Sequence, residues 1–216
     1  MNVELEIKEQ IAKDLLSIKA VFLSVGKPFI WASGIKSPIY CDNRLTLTSP
    51  LVRTHVEEGI ITLIKNHYPE VEVVMGTATA GIAHAAIVGH LMNLPMGYVR
   101  ADAKSHGREN KIEGNLKPGQ KVVVVEDLIS TAGSSLEVVK TLKEAGAIVL
   151  GIVSIFTYGL KKGVERLEND NVKNVSLTNL DTILDVAVIE KYISEIEKEK
   201  ILKFRSNPSD ESWIKG

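Results

Sequence analysis

In 216 residues the chain has one cysteine, Cys41, so no intramolecular disulfide can form. That excludes a disulfide-stapled scaffold, points to a reducing compartment, and leaves core packing as the default role of the thiol. An excess of charge of one sign is missing too. The chain carries 26 Lys and Arg against 27 Asp and Glu, a net charge of −1. A nucleic-acid-binding chain is expected to be basic, so no nucleic-acid partner is expected here. Long apolar runs are also absent. The longest, Ala147 to Phe156, is about half of a membrane span. The stretch from Met1 to Gln10 is charged from the start and has no apolar signal-peptide core. The expectation is a cytoplasmic protein with no membrane partner.

Common site signatures are missing as well. No G-x-G-x-x-G follows a strand and no lysine follows the glycine of a phosphate loop, which excludes a dinucleotide fingerprint and a Walker loop. No G-x-S-x-G elbow is present. His55, His67, His84, His90 and His106 form no i,i+4 pair and have no partner cysteines, so no side-chain metal site is expected. There is no internal repeat and no low-complexity tract.

What is present is a hydrophobic fraction of 44% in a length suited to one α/β domain. Residues 4 to 25 place Leu5, Ile7, Ile11, Leu15, Ile18 and Phe22 near helical spacing, predicting an amphipathic helix that ends before Gly26. Two short aromatic and β-branched stretches, 28–34 and 37–42, predict a small hairpin outside the main sheet. Ser49-Pro50 reads as a helix start. Strands and helices then alternate: strand 71–75, helix 79–92, strand 96–100, strand 122–125, helix 132–145 and strand 148–156. Such alternation predicts an α/β fold with a central, mostly parallel sheet and helices on both faces. A helix 161–168, a strand 172–177, helices 180–186 and 189–204, and a polar frayed tail from Ser206 complete the expectation.

The most informative stretch is KVVVVEDLISTAGSS, residues 121–135. Four valines in a row read as a strand buried on both faces. Glu126 and Asp127 follow where that strand should end, the place where open α/β sheets bind ligands. Small residues and hydroxyls then open a helix, so backbone N–H groups and the helix dipole face an anion. A phosphorylated sugar offers both halves of that ligand. The plain alternative is an acidic turn and a capped helix with no ligand.

Three further stretches carry similar pairs of readings. Residues 100–114 hold Arg100, Lys104, His106, Arg108 and Lys111 without strand or helix periodicity. They form either a cationic flap over a polyanion or a solvated loop. GTATAG, residues 76–81, is an anion-holding turn or a simple strand-to-helix turn. The hairpin 33–44 places Lys36 and Arg44 around a tight turn that is otherwise surface.

Taken together, S-G-x-K-S-P-x-Y, G-T-A-T-A-G-I, R-x-x-x-K-x-H-G and V-V-V-V-E-D-L-I-S-T-A-G-S-S resemble the orotate phosphoribosyltransferase family of type I phosphoribosyltransferases, over about residues 15 to 160. The resemblance implies a single domain over 1–216, with an N-terminal hood mainly in 1–45 and a flexible catalytic loop at about 101–117. It places the loop for phosphoribosyl pyrophosphate (PRPP) at 122–135. It implies that ribose 5-phosphate passes from PRPP to orotate, giving orotidine 5′-monophosphate and pyrophosphate in de novo pyrimidine (UMP) biosynthesis. Mg2+ would be held mainly by PRPP. The implied PRPP-binding set is Lys36, Arg100, Lys104, His106, Glu126, Asp127, Leu128, Ile129, Ser130, Thr131, Ala132, Gly133 and Ser134. Within it the loop would hold the 5-phosphate, Glu126 and Asp127 the ribose hydroxyls, and Lys36 would touch PRPP under the hood. Arg100, Lys104 and His106 would reach across a homodimer to the partner's pyrophosphate. Lys104, His106 and Asp127 are the implied catalytic residues, and Ser130 would also contact orotate.

Three positions depart from the family pattern. Ala101 stands where many members have a second lysine, and Thr79-Ala80 replaces an aromatic-lysine pair of some members. No arginine occurs between Leu150 and Arg166, where some members bind the substrate carboxylate. The residues for that carboxylate therefore stay open. A purine-type phosphoribosyltransferase and a PRPP-binding regulator without turnover are the competing functions.

Overall fold

The run of four valines decides the centre of the molecule. In the computed structural model, which describes residues 3–31, 34–100 and 111–214, Val122, Val123, Val124 and Val125 are all fully buried. Successive strand side chains point to opposite faces. Val123 and Val125 accordingly join one core and Val122 and Val124 the other. Each buried valine contributes roughly 1.5–3 kcal/mol of transfer free energy, so this strand is firmly fixed in the sheet.

In chain order the elements are α1 (Val3–Ser17), β1 (Val21–Leu23), β2 (Phe29–Ile30), β3 (Lys36–Ser37), β4 (Ile39–Cys41), a 3-10 turn (Asn43–Thr48), α2 (Pro50–His67) and β5 (Val73–Thr77). There follow α3 (Ala80–Met92), β6 (Met96–Val99), β7 (Ile112–Glu113), β8 (Lys121–Ile129), α4 (Gly133–Glu144), β9 (Ile148–Thr157) and α5 (Lys161–Asn169). The chain closes with β10 (Asn174–Asn179), α6 (Leu180–Ile189), α7 (Glu195–Ser206) and a second 3-10 turn (Glu211–Ile214).

The main sheet runs β10-β9-β8-β5-β6-β7. Its first five strands are parallel, and β7 adds an antiparallel edge to β6. Because β5 lies between β6 and β8, the winding reverses there, and the crevice beyond the carboxyl ends of β5 and β8 is the expected ligand position. Ile11, Ile60, Val88 and Ile183 from α1, α2, α3 and α6 cover one face, and Val138, Val139 and Leu142 of α4 cover the other. Ser49 accepts a hydrogen bond from Val52 N with Pro50 in the first turn, so α2 starts where Ser49-Pro50 indicated.

Four expectations are corrected. The first helix stops at Ser17, not before Gly26, because Lys19 turns left-handed (φ 57°). Ala20 N then bonds Leu15 O, and Val21–Leu23 pairs antiparallel with β4. β-Branched Val21 suits that strand, while helical spacing alone had absorbed it. The strand expected over 122–125 runs to Ile129, so Glu126 and Asp127 lie inside β8. Its pairing with β5 does end at Val125, opposite Gly76, which leaves the acids on an open flank. Of the loop expected over about 101–117, residues 101–110 lie outside the described residues, whereas Ile112 and Glu113 pair with Val99 and Tyr98. Finally, the described part of the tail, Ser206 to Ile214, is not frayed: Trp213 is 1% exposed and stacks edge-on against Phe204 at 5.8 Å.

Candidate active site

A cavity of about 630 Å³ opens at the point where the winding reverses. Its walls come from the ends of β5, β6 and β8, the start of α4, and the corner between β4 and the first 3-10 turn. Thr77, Arg100, Glu126, Asp127, Ser130 and Ser134 are among the lining residues. The topology therefore gathers into one place the ends of three separate sequence motifs.

One end of this cavity is made of backbone. Ala132 adopts a left-handed conformation (φ 59°) and α4 begins at Gly133 with no side-chain cap. Its first N–H groups thus lack a side-chain partner and point, with the positive end of the helix dipole, at the cavity. Leu128 and Ser130 line the cavity, whereas Ile129 is buried in the core beneath it. Behind the loop stands α5. The Thr131 carbonyl accepts a bond from Arg166 Nη1 at 3.1 Å, and a Cβ on Gly163 would collide with the Ser130 carbonyl. The helix α3 also starts on the cavity without a side-chain cap, at Thr79, just after the cis peptide bond Ala78–Thr79. Gly81 is required there because a Cβ would strike the Val125 carbonyl and Thr77 Oγ1.

The two acids have different surroundings. Glu126 is 6% exposed, and its Oε1 accepts from Thr77 Oγ1 at 2.6 Å and from the Asp127 N–H at 3.0 Å. Its Oε2 accepts from Ser135 Oγ at 2.8 Å. Burial pushes its pKa up to about 7, partly countered by the Thr77 hydrogen bond. Asp127 is half-buried and lines the cavity. Its carbonyl accepts from Asn43 Nδ2 at 2.7 Å.

Cations ring the mouth. Arg100 Nη1 lies 3.6 Å from Glu113 Oε1, and Lys111 Nζ lies 3.5 Å from Glu137 Oε1. Asp42 holds Arg44 side-on, at 2.6 Å to Nε and 2.7 Å to Nη2. Lys36 is not brought to the cavity; its Nζ binds Glu211 Oε2 at 2.9 Å. Lys104 and His106 lie outside the described residues. The arrangement suits a ligand with a terminal phosphate, a hydroxylated ring and a second polyanionic group.

A profile of the phosphoribosyl transferase domain matches residues 50–193. An orotate phosphoribosyltransferase from Bacillus cytotoxicus is 57% identical over 208 residues, covering 96% of this chain and 99% of the relative. The chain belongs to the orotate phosphoribosyltransferase family. Within that family, the solved orotate phosphoribosyltransferase from Aeropyrum pernix superposes with a TM-score of 0.73 at 29% identity, over 81% of this chain and 96% of that one. A Leishmania donovani UMP synthase superposes with a TM-score of 0.77 at 25% identity, over 92% of this chain and 42% of that longer one. The matched domain spans the strand, acid pair and loop of residues 121–135. Sequence reasoning did not single out Asn43, Thr77, Ser135 and Arg166 as supports of that stretch. For Thr77 and Ser135 a signal existed, since both are hydroxyl residues inside recognised motifs. For Asn43 and Arg166 there was none.

Proposed function

We infer that this chain transfers ribose 5-phosphate from PRPP to orotate in pyrimidine biosynthesis, releasing pyrophosphate. The observation that carries the reading is the pairing of Asp127 with the uncapped start of α4 inside one cavity. A phosphorylated sugar presents an anion to the helix start and ring hydroxyls to the acid. Backbone N–H groups of 131–134 hold the phosphate, and Asp127 accepts from the ribose hydroxyls.

Departure of pyrophosphate gives the anomeric carbon oxocarbenium character and places growing negative charge on the leaving oxygens. Cations brought beside those oxygens stabilise that charge. Lys104 and His106 take this role, with proton donation by His106 when it is charged. Arg100 stands at the same mouth. Ser130, on the cavity wall, contacts orotate. Lys36 reaches PRPP only after leaving Glu211, a change open to an exposed ion pair.

Mg2+ fits this donor set. Asp127 supplies a hard carboxylate oxygen at the cavity, and no cluster of three or more His, Cys, Asp or Glu exists among the described residues to cage an ion. When bound, the ion neutralises pyrophosphate charge. We further propose that two copies form the active unit, with Lys104 and His106 serving the partner's cavity.

The test is the fall in orotate absorbance on mixing protein, PRPP and Mg2+, with adenine, hypoxanthine and uracil in parallel. Consumption of orotate alone is expected. Consumption of a purine instead, or PRPP binding with no base consumed, overturns the reading. In the same assay Asp127→Asn is expected to lower kcat/KM for PRPP by about a hundredfold, the scale of two lost charge-assisted bonds.

A further inference from the structure

We infer that Asn43, with Cys41 and a buried chain through Thr46, His84 and Glu57 behind it, is a positioning residue that sets the orientation of Asp127. The inference rests on the reading of Asp127 as the ribose-binding acid, and it starts from the flank where β8 loses its partner. Beyond Val125 no residue of β5 pairs with β8. Both polar groups of the Asp127 backbone are instead held by side chains: its N–H by Glu126 Oε1 at 3.0 Å, its carbonyl by Asn43 Nδ2 at 2.7 Å. An acid whose N–H and carbonyl are both fixed this way has its Cβ direction set by those two partners.

The Asn43 side chain has no freedom to supply a different atom. It is 1% exposed, and its Oδ1 accepts from Cys41 Sγ at 3.2 Å, which directs Nδ2 at Asp127. Burial pushes the Cys41 thiol well up, so the sulfur keeps the hydrogen that this bond needs. Asn43 is itself anchored. Its backbone carbonyl accepts from Thr46 Oγ1 at 2.6 Å, and Thr46 is fully buried.

The Thr46 hydroxyl has spent its one hydrogen on Asn43, so the His84 Nε2 atom 3.4 Å away must be the donor to Thr46. On the other side of the ring, Nδ1 lies 2.7 Å from Glu57 Oε1. Whether the shared proton sits on Nδ1 or on Glu57, Nε2 carries a hydrogen and donation runs one way, from the α2–α3 interface toward Asn43. His84 is 0% and Glu57 2% exposed, so this ionisable pair is held in the core. Isolated buried polar groups of this kind are costly, which makes a chain ending at a site acid a reason for their placement.

The test uses the full chain in the orotate assay, with folding followed by thermal melts. Asn43→Ala is expected to lower kcat/KM for PRPP about tenfold, and Thr46→Val about threefold. The deciding measurement is a double-mutant cycle. On an Asp127→Asn background Asn43→Ala should cost almost nothing more, whereas on a Lys36→Ala background it should cost its full tenfold. A merely structural loss lowers both backgrounds equally, and that result overturns the inference. Wild-type kcat/KM in both single variants overturns it too. If Asn43→Ala does not fold, Thr46→Val runs through the same cycle with the same two outcomes. Failure of the wild-type chain to consume orotate refutes the underlying reading instead.

Discussion

Glu126 and Asp127 are adjacent in sequence, yet one residue of strand separates a buried carboxylate from a half-buried one. The consequence for Glu126 is a pH dependence of a definite sign. Its pKa rises from 4.5 to about 7 on folding. Below about 4.5 it is protonated in both states and costs nothing. As the pH rises the unfolded chain ionises first, so stability falls across the window from 4.5 to about 7 and the full cost remains above it. The upper bound on that cost is roughly 3 kcal/mol. In Glu126→Gln the amide oxygen still accepts from Thr77 and Asp127, and the Ser135 hydroxyl can turn to accept from the amide nitrogen. The ligand-free variant is therefore expected to melt at a temperature that changes little from pH 5 to pH 8, while wild type loses stability over that range. Parallel melting profiles for the two proteins would remove the burial argument. A second residue-scale outcome concerns Lys36. Its ion pair with Glu211 is exposed on both sides, 46% and 53%, so it contributes roughly 0–1 kcal/mol. Glu211→Gln is expected to leave the melting temperature nearly unchanged and to lower the KM for PRPP by freeing Lys36. A rise in KM would mean that Glu211 orients Lys36 productively.

At the scale of elements, the loop proposed to hold the 5-phosphate is only as well placed as the helix behind it. Gly163 lets α5 lie directly on the Ser130 carbonyl, and Arg166 reaches from the same helix to the Thr131 carbonyl. Gly163→Ala forces helix and loop apart. The expected result is a PRPP KM raised by about tenfold or more with a loss of roughly 1–3 kcal/mol in stability, the usual cost of overpacking. Unchanged PRPP kinetics in a folded variant would show that the loop does not lean on α5. This buttress also marks the limit of what the chain order reveals. The central strand, the helix start at Ser49-Pro50 and the Thr-Ala-Gly loop were legible because each is a local pattern: a β-branched run, a capping pair, a string of small residues. The ends of α1 and β8 were not. A left-handed Lys19 has no composition signal, and β8 continues past its acids because β9 still pairs with it. Side-chain contacts across the fold were illegible for the same reason. Asn43 meets Asp127 across 84 residues and Lys36 meets Glu211 across 175. The tail looked polar enough to fray, but two apolar rings decide otherwise, since Trp213 finds Phe204.

The whole molecule is a sheet whose reversal point collects the loop proposed to hold phosphate, an acid and a ring of cations, and the remaining issue is whose cations serve which cavity. Arg100 lines its own chain's cavity, while Lys104 and His106 are assigned to the partner's. A symmetric pair of chains turns that assignment into arithmetic. If Lys104 acts across the interface, a Lys104→Ala chain keeps an intact Asp127 and an Asp127→Asn chain keeps an intact lysine. Each pure variant keeps only on the order of 1% of the activity, the hundredfold loss expected of Asp127→Asn, but a hybrid pair has one cavity with both groups in place. With random exchange of equal amounts, half of the pairs are hybrid and each has one good site of two, so about 25% of wild-type activity should return on mixing. If Lys104 serves its own chain, no cavity in the hybrid is complete and mixing restores nothing. The recovery should also require subunit exchange: it should grow in at the rate at which labelled wild-type chains mix, and crosslinking each variant before mixing should abolish it. Activity that returns despite prior crosslinking would not come from hybrid pairs, and the assignment of Lys104 to the partner's cavity would fall with it.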